Sequence, residues 1–182
     1  MIRSGLLCIL GLGCLLADVA PALADCADVP APGVYWRRCV QDGQDLRAVD
    51  LTGATLRDAS LKRTDLSDAN LTGIDARRAK FVSTVLHNAS LDDANLVQAD
   101  FTNADLTDAS LVGADLTNAR MFRADLSRAD LSGARLSNTD LLNAVLAGAT
   151  WVDGKTICSE ESVGRCHRSS AGQGLSEVEP SG

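Results

Sequence analysis

A large apolar side chain returns at every fifth position between residues 44 and 153. The series starts with Leu46, Leu51 and Leu56 and ends at Trp151, and a small residue takes the central position only at Ala76. Two positions before most centres stands a small residue, usually alanine. Asp or Asn often lies between the two, so that the unit reads A-D/N-L-x-x. This five-residue pattern predicts the architecture of the chain.

Neither regular secondary structure accommodates a period of five. Five residues of α-helix turn through about 500°, which is about 140° net, so the leucines would spiral around the axis without forming a stripe. In a flat strand the odd spacing would send alternate leucines to opposite faces. A chain that turns a corner after every five residues satisfies the pattern. Four such sides close a square coil of about twenty residues, and successive coils stack at strand spacing.

Stacking places centres twenty residues apart in one of four columns, and each column marks one face of the prism. The fourth column brings Phe81 and Phe101 together on adjacent coils beside the flexible Met121. Ala76 falls in the same coil as Phe81, which suggests that their volumes compensate. The four predicted columns are Leu46, Leu66, Leu86, Leu106, Leu126, Leu146; Leu51, Leu71, Leu91, Leu111, Leu131, Trp151; Leu56, Ala76, Leu96, Leu116, Leu136; and Leu61, Phe81, Phe101, Met121, Leu141.

The two residues after each centre are predicted to form the middle of a β-turn. Gly53, Gly73, Gly113 and Gly133 all fall at one corner, where a type II turn needs a positive φ at its second central residue. Asparagine, which tolerates the same conformation, takes the equivalent place at other corners. Asp93 interrupts the glycine series, and we expect strain or a different turn there. The asparagines are Asn88, Asn103, Asn118, Asn138 and Asn143.

The tandem A-D/N-L-x-x array resembles the pentapeptide-repeat family, whose members fold as a right-handed quadrilateral β-helix. The resemblance implies an all-β solenoid of about five and a half coils across residues 44–153. The close of the array, from Trp151 to Gly154 followed by Cys158 and Cys166, is similar to that of exported bacterial members. The fold carries unrelated functions, so the resemblance does not specify an activity.

The first 24 residues have the features of a secretory signal peptide. Arg3 supplies a basic start, an apolar run covers residues 5–16, and small residues at Ala22 and Ala24 fit signal peptidase, so cleavage is predicted after Ala24. The apolar run is shorter than the ~20 residues that span a bilayer as a helix. A lipoprotein reading would make Cys14 the modified residue, but Gly11 stands three residues upstream, where such signals usually have leucine. We therefore predict a periplasmic or secreted protein.

Export gives the remaining cysteines a structural role, because an even number in an exported chain implies disulfides. Residues 25–43 are predicted to form an N-terminal cap and residues 154–166 a C-terminal cap, since the open ends of a β-helix need covering. Bonded cysteines have Cα atoms only about 4.4–6.8 Å apart, so a bond cannot join opposite ends of the prism. The predicted pairs are Cys26–Cys39 and Cys158–Cys166. Residues 167–182 have no apolar pattern and are predicted to be a disordered tail.

Composition and motifs argue against catalysis and nucleic-acid binding. The formal net charge is −7, which does not suit a protein that binds phosphate backbones. The only histidines are His87, at an outward turn position, and His167, and no Cys/His cluster has metal-ligand spacing. No glycine-rich phosphate loop is present. The sequence therefore predicts a non-enzymatic protein without cofactor or metal, and we expect a monomer.

The outward charges of the array divide by face. The first and second faces are acidic, with net charges of −4 and −5, whereas the third and fourth carry +1 and +3. Either the acidic or the basic side could dock a protein partner, although an acidic surface equally suits solubility. On the fourth face Phe122 and Leu142 should touch across neighbouring coils, flanked by Arg120 and Arg123. These four residues form the candidate partner patch.

Two functions fit these observations. The first is an exported, non-enzymatic binding or scaffold module of the cell envelope with a protein partner. The second follows from the resemblance, because some cytosolic family members mimic DNA with an acidic β-helix and inhibit type II topoisomerases. The signal peptide places the present chain in the wrong compartment for that role.

Overall fold

The computed structural model describes residues 26–168, so the predicted signal peptide at 1–24 and most of the predicted tail lie outside the described residues. Within the described part there is no helix, and the β-structure consists of single-residue bridges. Four ladders of parallel bridges connect residues twenty apart in sequence, which confirms the quadrilateral β-helix. The ladders begin at Tyr35, Val40, Asp45 and Asp50 and end at Arg135, Asp140, Val145 and Thr150.

Backbone hydrogen bonds explain why each side needs so few residues. The amide of Leu106 donates to the carbonyl of Asp125 in the following coil at 2.7 Å, and the amide of Asp125 donates back to Ala104 at 2.9 Å. Between neighbouring sides, the amide of Ala109 closes a turn on the carbonyl of Leu106 at 3.1 Å. A five-residue unit that lies between two coils therefore satisfies its backbone through both of them.

The β-helix starts earlier than the sequence pattern indicated. Tyr35 forms a bridge with Thr55, and Val34, Trp36 and Cys39 fill inward positions of the first coil. Residues 31–43 therefore belong to the solenoid and not to a separate N-terminal cap, and the array has six coils where about five and a half were predicted. The regular turn pattern begins at residue 31. The early coil was hidden because Trp36 and Cys39 replace the usual leucine and alanine.

The interior is built from the predicted columns. The central residues from Leu51 to Leu131 are fully buried, as are nearly all the alanines that precede them. The two buried threonines that replace alanine are satisfied inside the stack: the hydroxyl of Thr64 donates to the carbonyl of Gln41 at 2.8 Å and that of Thr84 to Leu61 at 2.6 Å. In both threonines the buried hydroxyl is thus satisfied by a carbonyl of the preceding coil, which accepts its proton.

The corners adopt a left-handed conformation at nearly every turn, whatever the residue. The glycine corner has φ between 66° and 70°, and the five predicted asparagines have φ between 55° and 60°. Asp93 has φ 55°, and the amide of Ala94 closes the usual turn on Leu91. Of the two expectations for this corner, a different turn was therefore wrong, and the left-handed conformation of a residue other than glycine is the strained alternative. Arginine, alanine and serine occupy further corners in the same conformation, as at Arg38 and Ala48. The coil geometry therefore overrides the local preference of the residue.

Disulfides close both ends as predicted, with Cα atoms 5.3 Å apart in Cys26–Cys39 and 5.0 Å apart in Cys158–Cys166. At the first end, the side-chain amide of Gln41 also donates to the carbonyl of Cys26 at 2.8 Å. At the second end, the chain doubles back antiparallel over the last coil, with bridges Thr150–Ile157 and Val145–Val163. It then reverses again so that Arg168 pairs with Cys158. This C-terminal cap covers only the first and second faces.

Candidate binding surfaces

Most outward aspartates have a structural partner within their own unit. The Asp105 carboxylate accepts hydrogen bonds from the amide and the hydroxyl of Thr107, and Asp65 accepts the same pair from Ser67. Hydrogen bonds of this kind lower the pKa of Asp50, where the hydroxyl and then the amide of Thr52 stabilise the charged form. The periodic aspartates therefore stabilise turns, and their abundance does not by itself indicate a site.

Ion pairs along the prism connect consecutive coils. Arg78 lies 2.7 Å from Asp58 and Arg128 lies 2.6 Å from Asp108, each bridging residues twenty apart. The hydrogen bond from Arg78 is the largest effect that lowers the pKa of Asp58. The two arginine side chains are more than half exposed, so each pair contributes little to stability. Their consequence is that paired arginines are partly neutralised on the surface.

The positive charge of the third and fourth faces is concentrated in the first three coils. Residues 35–83 of these two faces carry eight basic and three acidic side chains, a net of +5, whereas residues 95–143 carry three of each, a net of zero. Within the described chain, five cations of the first group form no ion pair: Arg37, Arg38, Lys62, Arg63 and Lys80. We call residues 35–83 of the third and fourth faces the basic half.

Sequence reasoning missed part of this surface because Arg37 and Arg38 had been assigned to the cap. A signal was available: Ala31, Trp36 and Gln41 continue the five-residue spacing backwards from Leu46. At the corner between the third and fourth faces, a shallow depression of about 580 Å³ adjoins the basic half. Its lining includes Arg78, Lys80, Asp100 and Arg120.

The structure places the four residues of the candidate partner patch on adjacent coils, with different environments. Arg120 lies 3.3 Å from Asp100, and the guanidinium of Arg123 lies 5.1 Å from the ring centroid of Phe122, which is half-buried. Leu142 is 61% exposed, and its carbonyl accepts the amide of Arg123. The apolar part of the patch is therefore mainly Leu142, at the uncapped side of the last coil.

Potential metal ligands do not converge within the part of the chain that the structure describes. His87 is about half exposed and lies 3.9 Å from Asp108. No cluster of three or more potential metal ligands occurs among residues 26–168. In the same part of the chain, no helix has the length and apolar character to cross a membrane.

The four ladders of parallel bridges define this protein as a quadrilateral β-helix. The pentapeptide-repeat family model matches residues 45–82, 83–121 and 123–150, and the chain belongs to that family. No curated protein matches the chain by sequence.

Three solved structures are similar. HetL, a pentapeptide-repeat protein involved in regulating heterocyst differentiation in the cyanobacterium Nostoc, is 32% identical with a TM-score of 0.51, over 68% of this chain and 62% of HetL. Rfr23 from the cyanobacterium Cyanothece is 24% identical with a TM-score of 0.53, over 64% of this chain and 90% of its own. QnrB1, a plasmid-mediated fluoroquinolone resistance protein, is 20% identical with a TM-score of 0.63, over 66% of this chain and 61% of QnrB1. The chain thus spans little more than three fifths of HetL and QnrB1, and at these identities Rfr23 and QnrB1 show the fold alone.

Proposed function

We propose that this protein is an exported, non-enzymatic binding module that holds an acidic protein partner against its basic half. The observation that carries the proposal is the uneven charge of the third and fourth faces, +5 in the first three coils against zero in the last three. Five of those cations have no ion-pair partner within the described chain, so a partner's carboxylates can approach them without displacing existing pairs.

The β-helix supports such a role by holding the charges in fixed rows. Arg37, Arg57 and Arg77 occupy the same position in consecutive coils, which lie about 4.8 Å apart. A rigid array of this kind loses little conformational freedom in the backbone on binding. The predicted signal peptide and the two disulfides support an oxidising location, in the periplasm or outside the cell.

Charge reversal tests the proposal. Arg37→Glu, Arg38→Glu and Lys80→Glu are combined in one variant. The control carries Arg135→Glu, which changes a cation among residues 95–143 of the same two faces, where the charges balance. Each oxidised protein is photo-crosslinked in an envelope fraction, and the captured proteins are quantified by mass spectrometry at low and high salt. We expect acidic proteins captured by the wild type and the control to be lost in the triple variant and at high salt. Equal capture by all three proteins would contradict the proposal, and an unprocessed cytosolic form in cells would remove the exported location.

A further inference from the structure

Within residues 26–168, the last coil is capped on two of its four sides. Over the first face, the carbonyl of Ser162 in the cap accepts a hydrogen bond from the amide of Leu146 at 2.9 Å. Over the second face, the carbonyl of Thr156 accepts one from the amide of Trp151 at 2.8 Å. The cap also donates its Cys158 amide to the carbonyl of Ala149 at 2.9 Å. These bonds show that the edge of the last coil pairs with an antiparallel segment.

The equivalent groups on the third and fourth faces have no partner within the described residues. The amides that would point to the next coil belong to Leu136, Asn138, Leu141 and Asn143, and the matching carbonyls belong to Ala134 and Thr139. We call this the open edge. Every earlier coil uses the corresponding amides, as in the bonds from Leu116 to Arg135 and from Met121 to Asp140.

The side chains at the open edge are correspondingly less covered. Leu116 and Met121, one coil earlier, are fully buried, whereas Leu136 and Leu141 are half-buried. Leu142 lies beside them and is 61% exposed. Unpaired strand edges with adjacent apolar side chains are templates for pairing with another chain.

The chain turns away from the open edge at the C-terminal disulfide, where the amide of Ser159 also donates to the carbonyl of His167 at 2.8 Å. At Gly164 the chain has reached the backbone of Leu141 and Asn143: a Cβ there would lie 3.6 Å from the Leu141 carbonyl oxygen and 3.8 Å from the Asn143 nitrogen. Instead of continuing over the fourth face, the chain turns back towards Cys158, to which Cys166 is bonded. Arg168 then pairs with Cys158 and adds a second layer above the first two faces only.

We propose that the open edge binds an extended segment of a partner protein, which adds antiparallel to residues 134–143 in the way the cap adds to the neighbouring sides. The segment spans about ten residues and presents two apolar side chains five residues apart, one over Leu136 and one over Leu141. Its carbonyls accept the four free amides, and two of its own amides donate to Ala134 and Thr139. Strand addition of this kind takes its affinity from main-chain hydrogen bonds and its specificity from alternate side chains.

A second copy of the chain fits the open edge less well than a single extended segment does. Half of one prism end offers on the order of a few hundred Å² at most, whereas a stable dimer buries about 800 Å² per partner. The second layer of the cap also stands above the neighbouring half and prevents two ends from meeting flat. The charges of residues 95–143 on these two faces balance, so the segment is selected by its apolar side chains, independently of the basic half.

A phage-displayed library of random twelve-residue peptides, selected on the oxidised full-length protein, tests the proposal. We expect enriched peptides with apolar residues five apart. Once synthesised, these should slow the hydrogen exchange of the four open-edge amides in NMR spectra. Leu136→Lys should weaken the binding of these peptides at least tenfold. If Leu136→Lys does not fold, Leu141→Lys takes its place, with the same expected loss of binding. Val112→Lys, which changes an exposed apolar residue on the second face, should leave binding unchanged.

Other results overturn the proposal. One is the enrichment of peptides that lack apolar residues five apart. Another is a peptide that protects amides other than the four at the open edge. The third is a folded Leu136→Lys or Leu141→Lys variant that binds the peptides as tightly as the wild type does. If the four amides become protected without peptide as the protein concentration rises, the occupant is a second copy. If they are already protected and become free on truncation after Arg168, the occupant is the chain's own tail.

Discussion

The rings of Phe81 and Phe101 stack in adjacent coils with their centroids 4.8 Å apart and their planes 7° apart. The distance lies within the ~4.5–7 Å typical of aromatic pairs, and the spacing of the coils sets it. The pair therefore reports the register of the β-helix directly, since both residues must occupy the same column.

Ala76 and Phe81 allow a test of volume compensation within one coil. Both are fully buried, and a larger residue at position 76 has no free space to occupy if the two volumes are matched. We expect Ala76→Leu to lower the free energy of unfolding by about 1–3 kcal/mol. Combining it with Phe81→Leu should recover part of the loss in a double-mutant cycle monitored by urea unfolding. Strictly additive effects would show that the two sites do not share space.

Leu106 lies in the middle of the first column and is fully buried. Leu106→Ala should destabilise the protein by about 2–5 kcal/mol, because neighbouring coils above and below prevent the interior from collapsing into the cavity. Leu142→Ala is the matched control on the surface and should change stability by less than about 0.5 kcal/mol. A thermal melt in which both variants behave alike would contradict the stacked core.

The corner at Ala48 places an alanine in a left-handed conformation, with φ 53°. The conformation costs an L-residue about 1–2 kcal/mol, more than the ~0.5–1 kcal/mol of chain entropy lost by using glycine. Ala48→Gly should therefore raise the free energy of unfolding by about 0.5–1 kcal/mol. Ala147 is the first of the two central residues of its turn and has no positive φ, so Ala147→Gly should lower the free energy of unfolding. If urea unfolding showed Ala48→Gly to be destabilising and Ala147→Gly stabilising, strain at the Ala48 corner would be ruled out.

Asp153 makes the turn into the C-terminal cap sensitive to acid. The amide and hydroxyl of Thr156, each 2.7 Å from the carboxylate, and the amide of Lys155 lower the pKa of Asp153 from 3.8 to about 2. Because the folded pKa is the lower one, the contribution to stability is complete above about pH 4 and is lost as the pH falls towards 2. NMR titration of the carboxyl group should find the low pKa in the wild type and a higher one in Thr156→Val. Identical titrations would remove the hydroxyl as a cause.

The sequence determined the scaffold because each inward position repeats the same packing problem. Leucine every fifth residue fixed the four columns, and the position of Phe101 twenty residues after Phe81 fixed their stacking. Glycine and asparagine at the turns indicated the left-handed corners. The positions of the cysteines outside the recognised array were sufficient to predict both disulfides.

The tertiary structure decided what the repeat pattern does not encode. Trp36 and Cys39 occupy inward positions only because the first coil stacks on the second, and this recruits Arg37 and Arg38 to the basic half. Asp93 and Ala48 take positive φ because hydrogen bonds to neighbouring coils outweigh the preference of one residue. After Gly164 the chain turns back towards Cys158, to which Cys166 is bonded. The packing of each inward residue repeats with the five-residue period, so the sequence was enough to place these residues. The basic half and the open edge depend on where the two ends of the described chain lie in the folded protein.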